Sequence, residues 1–491
     1  MSNHDTQFYI TTAIDYVNGK PHIGHALEKI QADVLARYHR AKEDRVWFLT
    51  GTDEHGAKIA RAAEAAGMTT AAFTDDMSAH FRGLKETLNL SWDDFIRTSD
   101  RARHWPGAQK IWTKLAEKGD LYKRKYRGLY CVGHEAFVTE KDLADGKCRD
   151  HQKEPEVIEE ENWFFRLSRY TNEIKSRIEN HTLKIVPESR QHEILSLLNE
   201  GLEDVSFSRP AKDLSWGVPV PDDPEHTMYV WCDALTNYIS AIGYGRDEDN
   251  FAQWWPADVH AIGKDILRFH AAIWPGMLLA AGLPLPKSIF VHGFITVDGQ
   301  KMSKSVGNVV SPVELVEKYG ADPVRYYLLR EIPSGEDGDF SYEKFEQRYN
   351  GDLANGIGNL VARVATLGER VSPISFAFKT DIEKSVDAAA DRAFAEYTKE
   401  MEAFRLNEAL ARAWELISFA DKYINDKKPW TLHDEKELSR VIAHASYLIG
   451  SFANLAAPFL PETAEKIRAQ ITVGDGCITI KKHGNMFPRL E

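Results

Sequence analysis

The opening stretch of the chain changes its apolar period twice, and that alternation limits the folds open to it. Phe8-Tyr9-Ile10-Thr11-Thr12-Ala13-Ile14 is an apolar run of strand length, and Asn18-Gly19-Lys20-Pro21 is turn chemistry. Leu27, Ile30, Val34 and Tyr38 then recur at helical spacing, so a helix opens between Pro21 and Gly24. Val46-Trp47-Phe48-Leu49-Thr50 returns to strand and stops at Gly51-Thr52-Asp53-Glu54-His55-Gly56. Strand, helix, strand in so short a span is a βαβ unit, which implies an α/β fold built on a parallel sheet.

The pattern breaks over residues 120–225. A basic run, Lys123-Arg124-Lys125-Tyr126-Arg127, leads into a Cys/His segment, an acidic stretch from Glu154 to Glu161, and helical periodicity. This reads as an insertion. Strand–helix alternation resumes at Met228-Tyr229-Val230-Trp231, Val259-His260-Ala261-Ile262-Gly263 and Ser288-Ile289-Phe290-Val291-His292-Gly293-Phe294. From residue 345 onward the period is helical: Leu353, Ile357, Leu360, Val361, Val364 and Leu367 share one face. Phe404, Leu406, Ala409, Leu410, Ala413, Leu416 and Ile417 share another, as in a helix bundle. Cys477-Ile478-Thr479-Ile480 suits a small terminal strand.

A length of 491 residues exceeds one ordinary domain. The sequence has no uncharged apolar run long enough for a membrane span and no signal-peptide pattern at Met1. Four scattered cysteines argue against a disulfide framework and for a reducing cytoplasm. A net charge of −13 speaks against binding nucleic acid over the whole surface, and DNA is not an expected partner. Local basic patches remain available for another nucleic acid.

Two separated motifs carry the chemistry. Pro21-His22-Ile23-Gly24-His25 lies where a strand turns into a helix, a place where backbone N–H groups and the helix dipole favour anions. His22 and His25 fall on one side of the first turn and can donate to phosphate oxygens, while Gly24 leaves room for a base or ribose. Lys301-Met302-Ser303-Lys304-Ser305 follows Val297-Asp298-Gly299-Gln300, and its lysines are mobile point charges suited to a departing pyrophosphate. Neither a P-loop nor a G-x-G-x-x-G fingerprint is present. The histidine pair alone reads more readily as two surface histidines beside a turn, and the lysine motif alone also as a solvated basic loop; the pair of motifs points to adenylation of a carboxylate.

Both motifs resemble the signature sequences of class I aminoacyl-tRNA synthetases. Tyr16 to His25, Gly51 to Gly56, Gly293 to Gln300, and Lys422-Tyr423-Ile424-Asn425 with Lys428-Pro429-Trp430 are similar to the methionyl-tRNA synthetases over essentially the whole chain. Asp15 departs from the proline or apolar residue that family often carries there. The resemblance implies a Rossmann-type catalytic domain in two halves, residues 1–118 and 226–295, split by a connective insertion at 119–225. The lysine-loop region at 296–345 and an all-α anticodon-binding domain at 346–491 follow. It also implies Asp53 as partner of the substrate ammonium, reached by the backbone near Ile14. The methionine slot is formed by Tyr16, Trp231, Ala234, Leu235, Tyr238, Ile266, His270 and Trp274, with Tyr238 and His270 near the sulfur. ATP, entering with Mg2+, falls to His22, Gly24, His25, Lys301, Lys304 and the ribose segment Gly263-Lys264-Asp265. Lys304 is the expected chief catalytic residue, supported by Lys301, His22 and His25.

Cys131-x2-His134 and Cys148-x2-His151 have the spacing of a structural zinc knuckle; a metal-free knob is the alternative. For tRNA, the resemblance has Trp430 stack on an anticodon base while Asn359 and Arg363, four apart on one helix face, read base edges. Lys422, Lys427 and Lys428 suit the phosphate backbone, and the Lys123–Arg127 run suits either the acceptor stem or a solvated hairpin. The expected activity joins L-methionine to tRNA(Met), initiator tRNA included, in a cytoplasmic monomer. A class I synthetase for another apolar amino acid and a non-catalytic tRNA-binding paralogue are the alternatives; the first is disfavoured for leucine, isoleucine and valine by the lack of a large editing insertion.

Overall fold

The computed structural model describes residues 6–132, 136–138, 140–149, 152–302, 307–474 and 476–490. His134, His151 and Lys304 among the expected site residues therefore lie outside the described residues. The chain divides into two compact units, one of residues 1–21, 39–85 and 91–292, the other of residues 22–38, 86–90 and 293–491.

The first unit is organised by a seven-stranded sheet. Its strands are β1 (Gln7–Thr12), β2 (Asp15–Tyr16), β3 (Arg45–Asp53), β4 (Asp94–Arg97), β5 (Lys184–Val186), β6 (Val259–Gly263) and β7 (Ser288–His292). They run in the order β5-β7-β6-β1-β3-β2, with β4 also against β3, and all pairings are parallel. β6 and β7 are buried at every residue, as a parallel sheet covered on both faces requires. The chain leaves β1 toward β3 on one side and meets β6 on the other, so the carboxyl ends of β1 and β6 form the switch-point crevice where α/β sheets take ligands.

The Met228–Trp231 run departs from its expected role. Strand Asp223–Met228 ends there and pairs antiparallel in a separate three-stranded sheet, and a helix, Val230–Leu235, begins at once. A short apolar run cannot be assigned by period alone, and packing against the core decides it here.

In the insertion, Leu121–Cys131 pairs antiparallel with Glu156–Phe165. The register sets Lys125 opposite Glu161, Tyr126 opposite Glu160 and Arg127 opposite Glu159. The basic run and the acidic stretch thus face each other across one hairpin, where opposite charges are favourable.

The second unit includes His22 and residues 23–38 of helix α1 (Ile23–Ala41). It continues with α2 (Ala321–Glu331), α3 (Asn359–Gly368), α4 (Lys384–Glu402), α5 (Leu406–Lys427), α6 (Glu435–Ala456) and α7 (Pro461–Gln470). α4, α5 and α6 pack together as a bundle. The buried face of α5 contains Leu406, Ala409, Leu410, Ala413, Leu416 and Ile417, as periodicity predicts. Phe404 does not share it: it turns the chain before α5 at φ 59°. Cys477–Ile480 is a strand, paired with Ile471–Gly474 and Ile374–Ser375. Among the described residues no helix is long and apolar enough to cross a membrane.

Arg325 on α2 is wholly buried and ties this unit together. It meets Asp33 of α1 at 2.7 Å and donates to the carbonyls of Phe459 at 2.7 Å, Pro458 at 3.0 Å and Leu88 at 3.2 Å. Asp33 also accepts from Arg37 Nε at 2.8 Å, and Arg37 donates on to the Asn89 carbonyl at 2.7 Å. Removing one member of a buried ion pair strands the other. Arg325→Met is expected to destabilise this unit by about 3–5 kcal/mol. Arg325→Met combined with Asp33→Leu should cost less than Arg325→Met alone, read as shifts of the urea unfolding transition.

Candidate active site

The slot residues converge on the core of the first unit. Tyr238 and Trp274 are fully buried, with Ala234, Leu235 and His270 almost so. Ile14, Tyr16, Trp231 and Ile266 are half-buried and pack against the same core. The β2–β3 register places Tyr16 directly beside Asp53, and the Val17 N–H donates to the Asp53 carbonyl at 3.2 Å. Asp53 is buried at the carboxyl end of β3, with the Thr98 hydroxyl 3.5 Å from its Oδ1. Asp15, paired with Thr52, is buried on β2.

Hydrogen bonds fix the tautomers of two ring pairs. His270 Nδ1 faces the Ile266 carbonyl at 2.9 Å, an acceptor only, so Nδ1 carries a proton. Nε2 of the neutral ring then accepts from Tyr238 Oη at 2.7 Å. His260 Nε2 accepts from the Trp274 indole N–H at 3.2 Å, so its Nδ1 donates to Thr11 Oγ1 at 2.7 Å. Burial, helped by the neighbouring His270, pushes the His260 pKa well below that of a free histidine.

Several residues at this site carry no signal in the sequence. Phe269 stacks on Trp231 with ring centroids 3.8 Å apart and planes 10° from parallel. Residues Phe269–Ile273 form a π-helical turn that presents His270 to Tyr238, and neither periodicity nor composition announces it. At the end of β6, Gly263 gives the Asp265 carboxylate its room, for a Cβ there would lie 2.8 Å from Asp265 Oδ1.

In the second unit, His22 and His25 stack at the start of α1, with ring centroids 3.9 Å apart. His25 Nδ1 accepts the His22 backbone N–H and His22 Nδ1 accepts the Gly24 backbone N–H, both at 3.1 Å. Each neutral ring therefore carries its proton on Nε2, a tautomer suited to donating toward an anion. The space beside Gly24, expected to admit a nucleotide, is held by the His22 ring: a Cβ there would lie 2.9 Å from His22 Cε1.

Lys301 is exposed on the short strand Gln300–Lys301, which pairs with Ile295–Val297. Asp339 braces the intervening turn by accepting from Gly299 N–H at 2.8 Å and Thr296 Oγ1 at 2.6 Å.

Arg363 donates to Asp421 at 2.9 Å and Asn425 at 2.8 Å, and lies 5.4 Å over the Trp430 ring. Trp430 is 48% exposed, and Asn359 is exposed at the start of α3. Lys422 and Lys428 are exposed, whereas Lys427 pairs with Glu383 at 3.2 Å.

Cys131 and Cys148 are buried in a small cluster with Val138, flanked by Leu129 and Leu143. The Cys148 N–H donates to the Lys153 carbonyl, and the Gln152 N–H donates to the Cys148 carbonyl. Two buried thiols in so small a cluster fit the donor set of a structural metal.

Comparison with known proteins fixes the class. Residues 8–148 and 136–365 match the family described as tRNA synthetases class I (M), and residues 383–482 match the anticodon-binding domain of tRNA ligase. The fold is that of a class I aminoacyl-tRNA synthetase. Within that class the chain belongs to the methionine–tRNA ligase family. It is 44% identical to the methionine–tRNA ligase of Thermotoga maritima, over 95% of this chain and 75% of that protein. It is also 44% identical to that of Brucella suis biovar 1, over 94% and 91%. It matches Mycobacterium tuberculosis methionyl-tRNA synthetase in complex with methionyl-adenylate at 38% identity and a TM-score of 0.93, over 99% of this chain and 100% of that one. The apo form of that synthetase matches at 35% identity and a TM-score of 0.86, over 99% of each chain.

His260 is neutral in the fold and titrates near its ordinary pKa once unfolded, so the unfolded chain binds more protons below about pH 6.5. Stability of the first unit should therefore fall as pH drops below about 6.5, by up to about 1.4 kcal/mol per pH unit from this group. Thermal melts between neutral and mildly acidic pH should show a smaller loss for His260→Gln than for the parent.

Proposed function

We propose that the chain activates L-methionine with ATP and passes the methionyl group to the 3'-terminal ribose of tRNA(Met), initiator tRNA included. The slot is the observation that carries this reading. Tyr238 and His270 satisfy each other, and His270 satisfies the Ile266 carbonyl, among stacked aromatic walls. A thioether is a weak acceptor and polarisable, so it suits such a wall. The Asp53 carboxylate, beside Tyr16, serves the ammonium.

A methionine carboxylate oxygen attacks the α-phosphorus of ATP, and the bond to the bridging oxygen breaks as pyrophosphate departs with its electron pair. ATP enters as its Mg2+ complex. His22 and His25 donate from Nε2 toward phosphate oxygens, Lys301 and Lys304 meet the charge growing on the leaving group, and Gly263 with Asp265 holds the ribose. The terminal ribose hydroxyl then attacks the methionyl carbonyl, AMP departs, and the hydroxyl proton passes to phosphate or solvent. The protein's part is placement and charge stabilisation. Ile14, Trp231, Ala234, Leu235, Ile266 and Trp274 shape the slot. Trp430 stacks on an anticodon base, with Asn359 and Arg363 reading base edges. Cys131, His134, Cys148 and His151 hold a structural zinc. The same reading makes the protein a cytoplasmic monomer.

Amino-acid-dependent ATP–pyrophosphate exchange across all twenty amino acids tests the proposal; a response led by any acid other than methionine refutes it. Lys304→Ala should cut the exchange rate by about a hundredfold or more with little change in methionine affinity. Trp430→Ala should depress aminoacylation and spare exchange. For the knuckle, elemental analysis of protein purified without chelator should find about one zinc per chain; a value near zero refutes the metal.

A further inference from the structure

Asp233 is wholly buried, and its two neighbours across space are histidines. Its Oδ2 lies 2.5 Å from His55 Nδ1 and its Oδ1 lies 2.6 Å from His104 Nε2, partners 178 and 129 residues away in sequence. Burial pushes the Asp233 pKa up, but the charge and hydrogen bonds of His55 and His104 outweigh it and bring the value down to about 2. An ionised carboxylate in a dry core adds little stability over well-packed apolar side chains. Its placement needs another explanation.

The three groups belong to three segments around the slot. Asp233 sits in helix Val230–Leu235 with Trp231, Ala234 and Leu235. His55 follows Asp53 by two residues, and its ring packs edge-on against Trp216 at 5.7 Å and Trp105 at 6.3 Å. Trp216 donates its indole N–H to the Glu54 carbonyl at 2.5 Å, so the turn after β3 is gripped at both ring and backbone. His104 reaches on through Nδ1 to Ser240 Oγ at 2.8 Å, in the short helix that carries Tyr238.

We infer that His55, Asp233 and His104 form a positioning triad that fixes the spacing between the Asp53 carboxylate and the aromatic wall of the slot. None of the three touches the reacting atoms. They act through Asp53, Trp231 and Tyr238, and so set methionine affinity more than the chemical step. The inference rests on the proposed methionine reading of the slot.

The test is steady-state ATP–pyrophosphate exchange with the full chain, varying methionine and ATP separately, for the parent, Asp233→Asn, His104→Leu and His104→Gln. Asp233→Asn and His104→Leu should each raise the methionine KM about tenfold, equivalent to about 1.4 kcal/mol, with kcat and the ATP KM within about twofold of the parent. His104→Gln, which keeps an N–H donor near the Nε2 position, should stay close to the parent. Thermal melts establish the folded fraction, and the two His104 variants decide the matter even where Asp233→Asn fails to fold. The triad is refuted if His104→Leu leaves the methionine KM unchanged, if His104→Leu and His104→Gln behave alike, or if only kcat falls. A parent enzyme without methionine-dependent exchange would instead refute the slot reading beneath it.

Discussion

One buried guanidinium holds the second unit's scattered stretches of chain to each other. Residues 22–38, 86–90 and 293–491 are far apart in sequence, and Arg325 bonds to all three through Asp33, Leu88 and the 458–459 carbonyls. Arginine suits the task because its rigid fork of donors can serve several acceptors at once. Placing that charge in a dry interior is costly unless every donor is met, and here the carboxylate and the helix-end carbonyls meet them. The arrangement also anchors α1. Asp33 lies about 15 Å along the helix from its first turn, so the ion pair at mid-helix orients the end that carries His22 and His25.

The first unit follows a different logic. A parallel sheet buried on both faces leaves its ligand chemistry to the carboxyl ends of its strands, and Asp53 and Gly263 sit at two of them. The side chains around the slot satisfy each other. Tyr238 is bonded to His270, Trp274 to His260 and His260 to Thr11. Bonds of this kind fix ring positions and tautomers.

Much of this was legible in the chain. Alternating period gave β1, α1 and β3 their places, and helical period gave α5 its buried face. Motif resemblance nominated the slot residues, which the fold gathers into one core. Other features depend on contacts that no local pattern encodes. The run through Trp231 has strand-like composition, yet packing starts a helix inside it. Phe404 fits the helical period but occupies a left-handed turn. Phe269 and Asp233 are ordinary residues until folding brings Trp231 against one and two distant histidines against the other. In the Lys123–Arg127 run, Lys125 and Arg127 stand opposite Glu161 and Glu159 across the hairpin, a placement that the run alone does not show.

The contact between Gly24 and His22 also bears on how this segment can evolve. The imidazole fills the volume a side chain at position 24 would need, while its Nδ1 holds the backbone N–H of that same glycine. A larger residue at position 24 would have to move the His22 ring aside, and a residue at position 22 without a ring nitrogen would lose the bond to the Gly24 amide. The two are coupled through one ring, so a change at either is felt at the other.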